Sequence, residues 1–199
     1  MEIPGYVILK MLGRGGMSTV YLAEQESFQR EVAVKILPEI VAKTENYGER
    51  FLREARIAAN LSHPNIVPVF DTGSFEGNHY LAMEYMPGGD LQQRMAAGLT
   101  LAEGMDVIQD VAIALDYARE KGVVHRDIKP ANIMFREDGS CAIVDFGIAR
   151  ELVSDANMTQ VGAVVGTPHY MSPEQAAGAR DKVDGRSDLY SLGIILFEM

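Results

Sequence analysis

The chain has no tryptophan and a single cysteine, Cys141, among its 199 residues. A lone cysteine excludes an internal disulfide and any metal site built on several thiolates, and it fits a reducing compartment. No stretch approaches the ~18 apolar residues of a membrane-spanning helix. The opening Met1-Glu2-Ile3-Pro4-Gly5 has neither the basic start nor the apolar run of a secretory signal. Basic side chains are the minority, 18 against 28 acidic, giving a net charge of −10. So acidic a body repels nucleic-acid phosphates and anionic membranes, so neither is expected as a partner. Internal repeats and low-complexity tracts are absent as well. What is present is globular: 47% hydrophobic and 23% charged residues, with length for one or two compact units at ~150 residues per domain.

The first half reads as strands. Tyr6-Val7-Ile8-Leu9, Thr19 to Ala23 and Glu31 to Leu37 are rich in β-branched and aromatic residues, with Gly or polar turns between them. Phe51, Ala55, Ala58 and Leu61 recur at helical spacing over 45–61, and Ser62-His63-Pro64-Asn65 stops that helix. Strands are predicted at Ile66 to Phe70 and His79 to Tyr85, and Pro87-Gly88-Gly89 is the candidate linker. Beyond it, Leu91 to Ala97 reads as a short helix and 100–121 as a long one. Thr100 is placed at the N-cap of the long helix and Glu103 in the capping-box position. Val123-Val124, Ile133-Met134-Phe135 and Cys141 to Val144 are short β-like runs around polar loops. The last stretch, Leu189 to Met199, is apolar on nearly every face, so as a helix it is expected to be surrounded. Nothing follows to cover it, and the expectation is that the 199 residues stop inside a domain.

Three local patterns carry chemistry. Gly13-Arg14-Gly15-Gly16-Met17-Ser18 lies between two predicted strands, where glycines let backbone N–H groups approach phosphate oxygens. A dinucleotide-binding loop needs a helix next, whereas Thr19 to Ala23 is strand-like. The loop is thus a phosphate cradle of another kind or a plain Gly-rich hairpin. Lys35 lies in the apolar run Val32 to Ile36, and lysine is rarely buried without a counter-charge. It is either an edge lysine facing water or the partner of an anion, for which a nucleotide phosphate and Glu54 are the candidates. Glu54 falls on the core-facing side of its helix by its spacing from Phe51 and Ala58. Finally, His125-Arg126-Asp127-Ile128-Lys129-Pro130-Ala131-Asn132 gathers acid/base, cationic and metal-ligating groups between apolar runs, with Asp145-Phe146-Gly147 further on. A carboxylate at a strand end such as Asp145 can hold a hard cation.

With the loop, Val32-Ala33-Val34-Lys35, the His125 to Asn132 stretch, Asp145-Phe146-Gly147 and Ser172-Pro173-Glu174 in this order, the chain resembles a protein kinase over its whole length. Lys129, two residues after Asp127, resembles Ser/Thr rather than Tyr kinases. Gly15-Gly16-Met17 and Met171-Ser172-Pro173-Glu174-Gln175-Ala176 are similar to bacterial eukaryotic-like kinases of the Hanks type.

The resemblance implies an α+β, two-lobed fold, with residues 1–86 as an antiparallel N-lobe carrying one helix. Residues 87–199 would form a partial, mainly helical C-lobe. It also implies a non-specific Ser/Thr protein kinase that uses ATP with Mg2+, or Mn2+ in its place, acts on Ser/Thr hydroxyls of proteins and phosphorylates itself. A truncated or non-catalytic nucleotide-binding scaffold is the alternative. The loop from Gly13 to Val20 would cover the phosphates, with Lys35 on the α- and β-phosphates and Glu54 aligning Lys35. Asp127 would take or orient the hydroxyl proton, Lys129 would neutralise the γ-phosphate, and Asn132 and Asp145 would hold the metal. Adenine would lie between Val20 and Ala33 on one side and Met134 on the other. Met83 takes the gatekeeper position, the backbone of Glu84 and Met86 meets the base edge, and Asp90 meets the ribose.

In the activation segment, 145–174, Thr159 and then Ser154 are the candidate phosphosites, with Arg126 as the cation to pair with them and Arg150 assisting. Thr167 resembles the substrate-facing threonine that bonds Asp127 and Lys129. His63, His79 and His169 are read as structural or exposed, and Cys141 as a small buried hydrophobe. Two departures stand out: Ser18 replaces the third loop glycine, and Glu174 has no downstream arginine partner in this sequence. A cytoplasmic location is implied, with a membrane anchor beyond Met199 left open, as is a homodimer through the N-terminal half.

Overall fold

A computed structural model describes residues 3–15, 18–43, 47–146 and 168–199, apart from the side chains at 47, 50, 54, 168 and 180. The chain divides into two compact units. One comprises Met1–Asn60 with Pro68–Tyr85, the other Leu61–Val67 with Met86–Met199.

The first unit contains β1 (Tyr6–Arg14), β2 (Thr19–Gln25), β3 (Arg30–Leu37), α1 (Glu39–Ala42), α2 (Tyr47–Ala59), β4 (Val69–Phe75) and β5 (Asn78–Glu84). The strands form one antiparallel sheet in the order β1-β2-β3-β5-β4. Register sorts the side chains by face. Ala23, Val32, Val34, Ile36 and Ala82 point to one side, where Ile3 and Tyr6 complete a buried cluster. A side-chain bond links the two edge strands: the Tyr6 hydroxyl of β1 donates to Asp71 Oδ2 of β4 at 2.9 Å. Tyr80 donates to the same oxygen, and burial, then Asp71, pushes the Tyr6 hydroxyl well above the ordinary phenol range.

One strand expected from the sequence needs correction here, and one short helix was not expected. The fourth strand is not Ile66 to Phe70 but Val69–Phe75. The polar run Asp71-Thr72-Gly73-Ser74 resembles a turn, yet it pairs with β5, and Thr72 Oγ1 also donates to Tyr80 O. Ile66 instead bridges Ile143 of the second unit's hairpin. α1 was not foreseen, since its four residues have no periodicity to read.

The second unit contains α3 (Leu91–Ala97), α4 (Leu101–Glu120), a 3-10 turn at Pro130–Asn132, and the hairpin β6 (Ile133–Phe135) and β7 (Cys141–Ile143). Further on come α5 (Pro173–Ala176) and α6 (Gly185–Glu198). The Thr100–Glu103 capping box starts α4, and its face of Val107, Val111, Ala114, Leu115 and Ala118 is buried. Burying side chains of this size contributes about 1.5–3 kcal/mol for each of the larger ones. Val123-Val124 joins no strand; the Val123 N–H closes the end of α4 on Ala118 O. α6 is not surrounded among the described residues: Ser187, Asp188, Ser191, Leu192 and Ile195 are buried, while Leu189, Tyr190, Leu196 and Phe197 are exposed. Its polar buried face is what the apolar reading of the sequence overlooked. Among the described residues no helix is long and apolar enough to cross a membrane.

Candidate active site

In the first unit the candidate residues share the sheet face opposite the buried cluster. Val20, Lys35 and Leu81 form one row across β2, β3 and β5, and Leu22, Ala33 and Met83 form the next. Ala33 and Met83 are buried, and so is Lys35, at 9% exposure. At the end of the β1–β2 hairpin, Gly13 pairs with Val20 and Arg14 with Thr19, and the Gly15 N–H closes the turn on Ser18 O at 2.8 Å. A Cβ on Gly13 would meet open space, so the protein's own packing does not demand glycine there. The N–H of Glu84 donates to Pro68 O at 3.1 Å. Gly16, Met17 and the Glu54 side chain lie outside the described residues, as do Ser154, Thr159, Thr167 and Arg150.

In the second unit the polar loop is fixed from several sides. His125 is fully buried. Its Nδ1 accepts the Asp127 N–H at 3.2 Å and its Nε2 faces Val144 O at 2.9 Å. Since the first can only donate and the second only accept, the ring proton sits on Nε2. The ring also packs on Phe146, centroids 4.7 Å apart. Asp188 of α6 takes the N–H groups of His125 and Arg126 on its two oxygens, both at 2.7 Å. Burial pushes its carboxyl above the ordinary range, opposed by His125 and Arg126. These contacts hold Arg126 at φ +66°, a left-handed conformation that costs a non-glycine residue of the order of 1–3 kcal/mol. Asp145, at φ +61°, is held similarly off the common regions.

Asp127, Lys129 and Asn132 meet directly. Lys129 Nζ lies 2.8 Å from Asp127 Oδ2, and Asn132 Nδ2 donates to Asp127 O at 2.7 Å and to Oδ2 at 3.1 Å. The hairpin ladder continues past β6 and β7, with the Val144 N–H donating to Asn132 O at 2.9 Å, and so brings Asn132 beside the Val144-Asp145 segment. With its Nδ2 spent on Asp127, Asn132 has its amide oxygen to offer elsewhere. An amide oxygen and the Asp145 carboxylate are donors of the kind a hard divalent cation takes. Among the described residues no three His, Cys, Asp or Glu side chains cluster as a metal cage. A cation on this pair would therefore complete its shell with water and phosphate oxygens. Met134 is half-buried on β6, and Met86 is buried. Asp90, expected at a ribose, caps α3, with Oδ1 accepting the Gln93 N–H at 2.8 Å.

Glu174 is not left without a partner: the Ser187 hydroxyl of α6 donates to it, and Ser187 first, then Ser172, holds its carboxyl below the ordinary range. Sequence reasoning missed the roles of Asp188 and Gln175, whose side chain donates to Arg126 O at 2.9 Å. An aspartate within the otherwise apolar run after Ser187 was the available signal for the first.

Residues 6–199 match the protein kinase domain family. Serine/threonine-protein kinase PknJ of Mycobacterium tuberculosis is 46% identical over 98% of this chain and 33% of its own length. PknB of Mycobacterium leprae is 42% identical over 98% of this chain and 32% of its own. The chain thus spans about a third of the length of the curated relatives it matches. The crystal structure of the Mycobacterium tuberculosis PknI kinase domain superposes with a TM-score of 0.78 at 36% identity, over 98% of this chain and 74% of that one. Sequence, fold and relatives together make this chain a member of the protein kinase domain family.

Proposed function

We propose that the chain transfers the γ-phosphoryl group of ATP to Ser and Thr hydroxyls of proteins. Membership of the kinase family implies ATP and a divalent metal in general terms; Mg2+ is the metal this reading takes. The observation that carries it is the Asp127 carboxylate held between Lys129 Nζ and the Asn132 amide. A substrate hydroxyl oxygen bonds to the γ-phosphorus as the bond to the ADP oxygen breaks, and the hydroxyl proton passes to Asp127. Lys129 faces the charge on the transferring group, and Asn132 and Asp145 hold the cation, which supplies charge neutralisation on the phosphates. Such a loose transition state rewards positioning and electrostatics over covalent help.

Lys35, aligned by Glu54, takes the α- and β-phosphates, and the Gly13–Ser18 loop lays its N–H groups along them. The open space over Gly13 supports that reading, because a side chain there would occupy room the protein leaves unfilled. In the first unit Val20, Ala33 and Met83 are the apolar contacts for the base and the Glu84 carbonyl takes its edge; in the second, Met134 and the Met86 backbone are the candidates for the base, and Asp90 for the ribose with the oxygen not used in capping. Autophosphorylation on Thr159 or Ser154, paired to Arg126, belongs to the same proposal.

The test is transfer of 32P from γ-labelled ATP to a generic acceptor protein, with phosphoamino-acid analysis. Asp127→Asn should lose about 10²–10⁴-fold in turnover, and label should appear on Ser and Thr alone. Parent-level transfer by Asp127→Asn would end this assignment and leave a nucleotide-binding scaffold as the better reading.

A further inference from the structure

The reading of Asp127 as the proton acceptor makes the peptide that enters it, Arg126–Asp127, worth tracing. Its N–H is taken by His125 Nδ1 and the preceding N–H groups by Asp188. Its carbonyl, Arg126 O, points the other way and accepts from Gln175 Nε2 at 2.9 Å. Gln175 lies 49 positions away, on α5. The same side chain closes the capping box of α5: Oε1 accepts the Ser172 N–H at 3.0 Å, and the Gln175 N–H donates to Ser172 Oγ. The amide orientation follows from chemistry, since the Ser172 N–H can only donate and Arg126 O can only accept. One amide therefore serves two masters at once, and only an amide can. Glutamate serves a capping box equally well, but its second oxygen would face Arg126 O with no proton to share.

We propose that Gln175 is a positioning residue for phosphoryl transfer, acting through Arg126 O to hold the left-handed turn that aims Asp127. This rests on the kinase reading above. Asp188 grips the turn from the N–H side and Gln175 from the carbonyl side, so α5 and α6 clamp one peptide segment between them. The segment ending in Ser172-Pro173-Glu174-Gln175 is thereby wired to the catalytic aspartate by a bond that does not touch substrate.

Gln175→Glu separates the two duties, keeping the cap and removing the donor. Turnover of this variant should fall about ten- to a hundredfold, the scale expected of a small misplacement of a reacting group, with KM for ATP within about twofold of the parent. The Asp127 amide should exchange its hydrogen faster, as followed by hydrogen–deuterium exchange on the purified chain. Ser172→Ala breaks a bond of the same cap while leaving Gln175 on Arg126 O; it should lower the melting temperature and keep turnover within about twofold. Parent-like turnover and exchange in Gln175→Glu would overturn the proposal, and so would equal turnover losses in the two variants. Should Gln175→Glu fail to fold, Gln175→Met, which matches its length without a buried charge and loses both bonds, is read against Ser172→Ala: parent-like turnover and exchange, or a turnover loss no larger than that of Ser172→Ala, overturns the proposal. If the parent itself transfers no phosphate, the kinase reading falls, while the Asp127 exchange comparison still decides whether Gln175 holds the turn.

Discussion

Asp127 and Cys141 lie in the same unit and show opposite uses of burial. Asp127 stays a quarter exposed, within reach of Lys129 and Asn132, as the proton acceptor of the proposed reaction has to be. Cys141 on β7 is 2% exposed, and its thiol is pushed up to about 12, by burial first and then by Asp110 close to its Sγ. Because only the thiolate is an effective nucleophile, a raised thiol stays protonated and inert through neutral and mildly alkaline pH. Iodoacetamide at pH 8 should therefore leave the folded chain unlabelled, and labelling should rise with denaturant in step with loss of circular dichroism. Fast labelling of the folded chain would mean β7 is not packed as described. Cys141 was legible because it opens the apolar run Cys141 to Val144. Asp188 was not: its partners, His125 and Arg126, lie more than sixty positions upstream, and no local pattern announces a bond of that span.

Elements were legible where period and punctuation agreed. α4 announced itself through Thr100, Glu103 and a clean apolar face. β4 did not, because Asp71, Thr72, Gly73 and Ser74 have turn chemistry, and their strand conformation comes from pairing with β5 and from Tyr6 and Tyr80 on Asp71. Tertiary contacts overrode propensity there. α2 offers a sharper test of packing against propensity. Gly48 lies inside this helix, where replacement by alanine ordinarily stabilises by about 0.5–1 kcal/mol. Here a Cβ would come within 2.3 Å of His79 Nε2, on β5 of the same unit. The His79 ring must turn aside to admit it, so Gly48→Ala should gain less in the parent chain than where that ring is absent. In a His79→Ala background, where the obstructing ring is gone, the same substitution should stabilise, and urea denaturation of the four proteins closes the cycle. An equal effect of Gly48→Ala in the two backgrounds would place α2 differently against β5.

At the scale of the whole molecule, a net charge of −10 sits oddly with a polyanionic substrate until the charges are located. The cations the kinase reading uses are single groups, Lys35 on β3 and Lys129 beside Asp127, and a divalent metal supplements them. Composition gives only the expectation that nucleic acid is no broad partner; it could not show where those two lysines stand. The candidate catalytic stretch was readable because its chemistry is contiguous, from His125 to Asn132, whereas the groups that hold it, Asp188 and Gln175, come from distant segments. Binding energy at such a site should register in the stability of the entire chain. A ligand bound to the folded state alone adds about 2.7 kcal/mol at a hundredfold excess over Kd. For a chain of this size each kcal/mol moves the melting temperature by about 2–4 °C. Saturating AMP-PNP with Mg2+ should thus raise the melting temperature by roughly 5–10 °C, and EDTA should remove much of that rise. Lys35→Met and Asp145→Asn should each melt near the parent without ligand yet gain little from it, because one loses a phosphate cation and the other a metal ligand. Equal ligand-induced shifts in parent and Asp145→Asn, with and without metal, would show that nucleotide binds without the Asn132–Asp145 pair and would overturn its assignment to the metal.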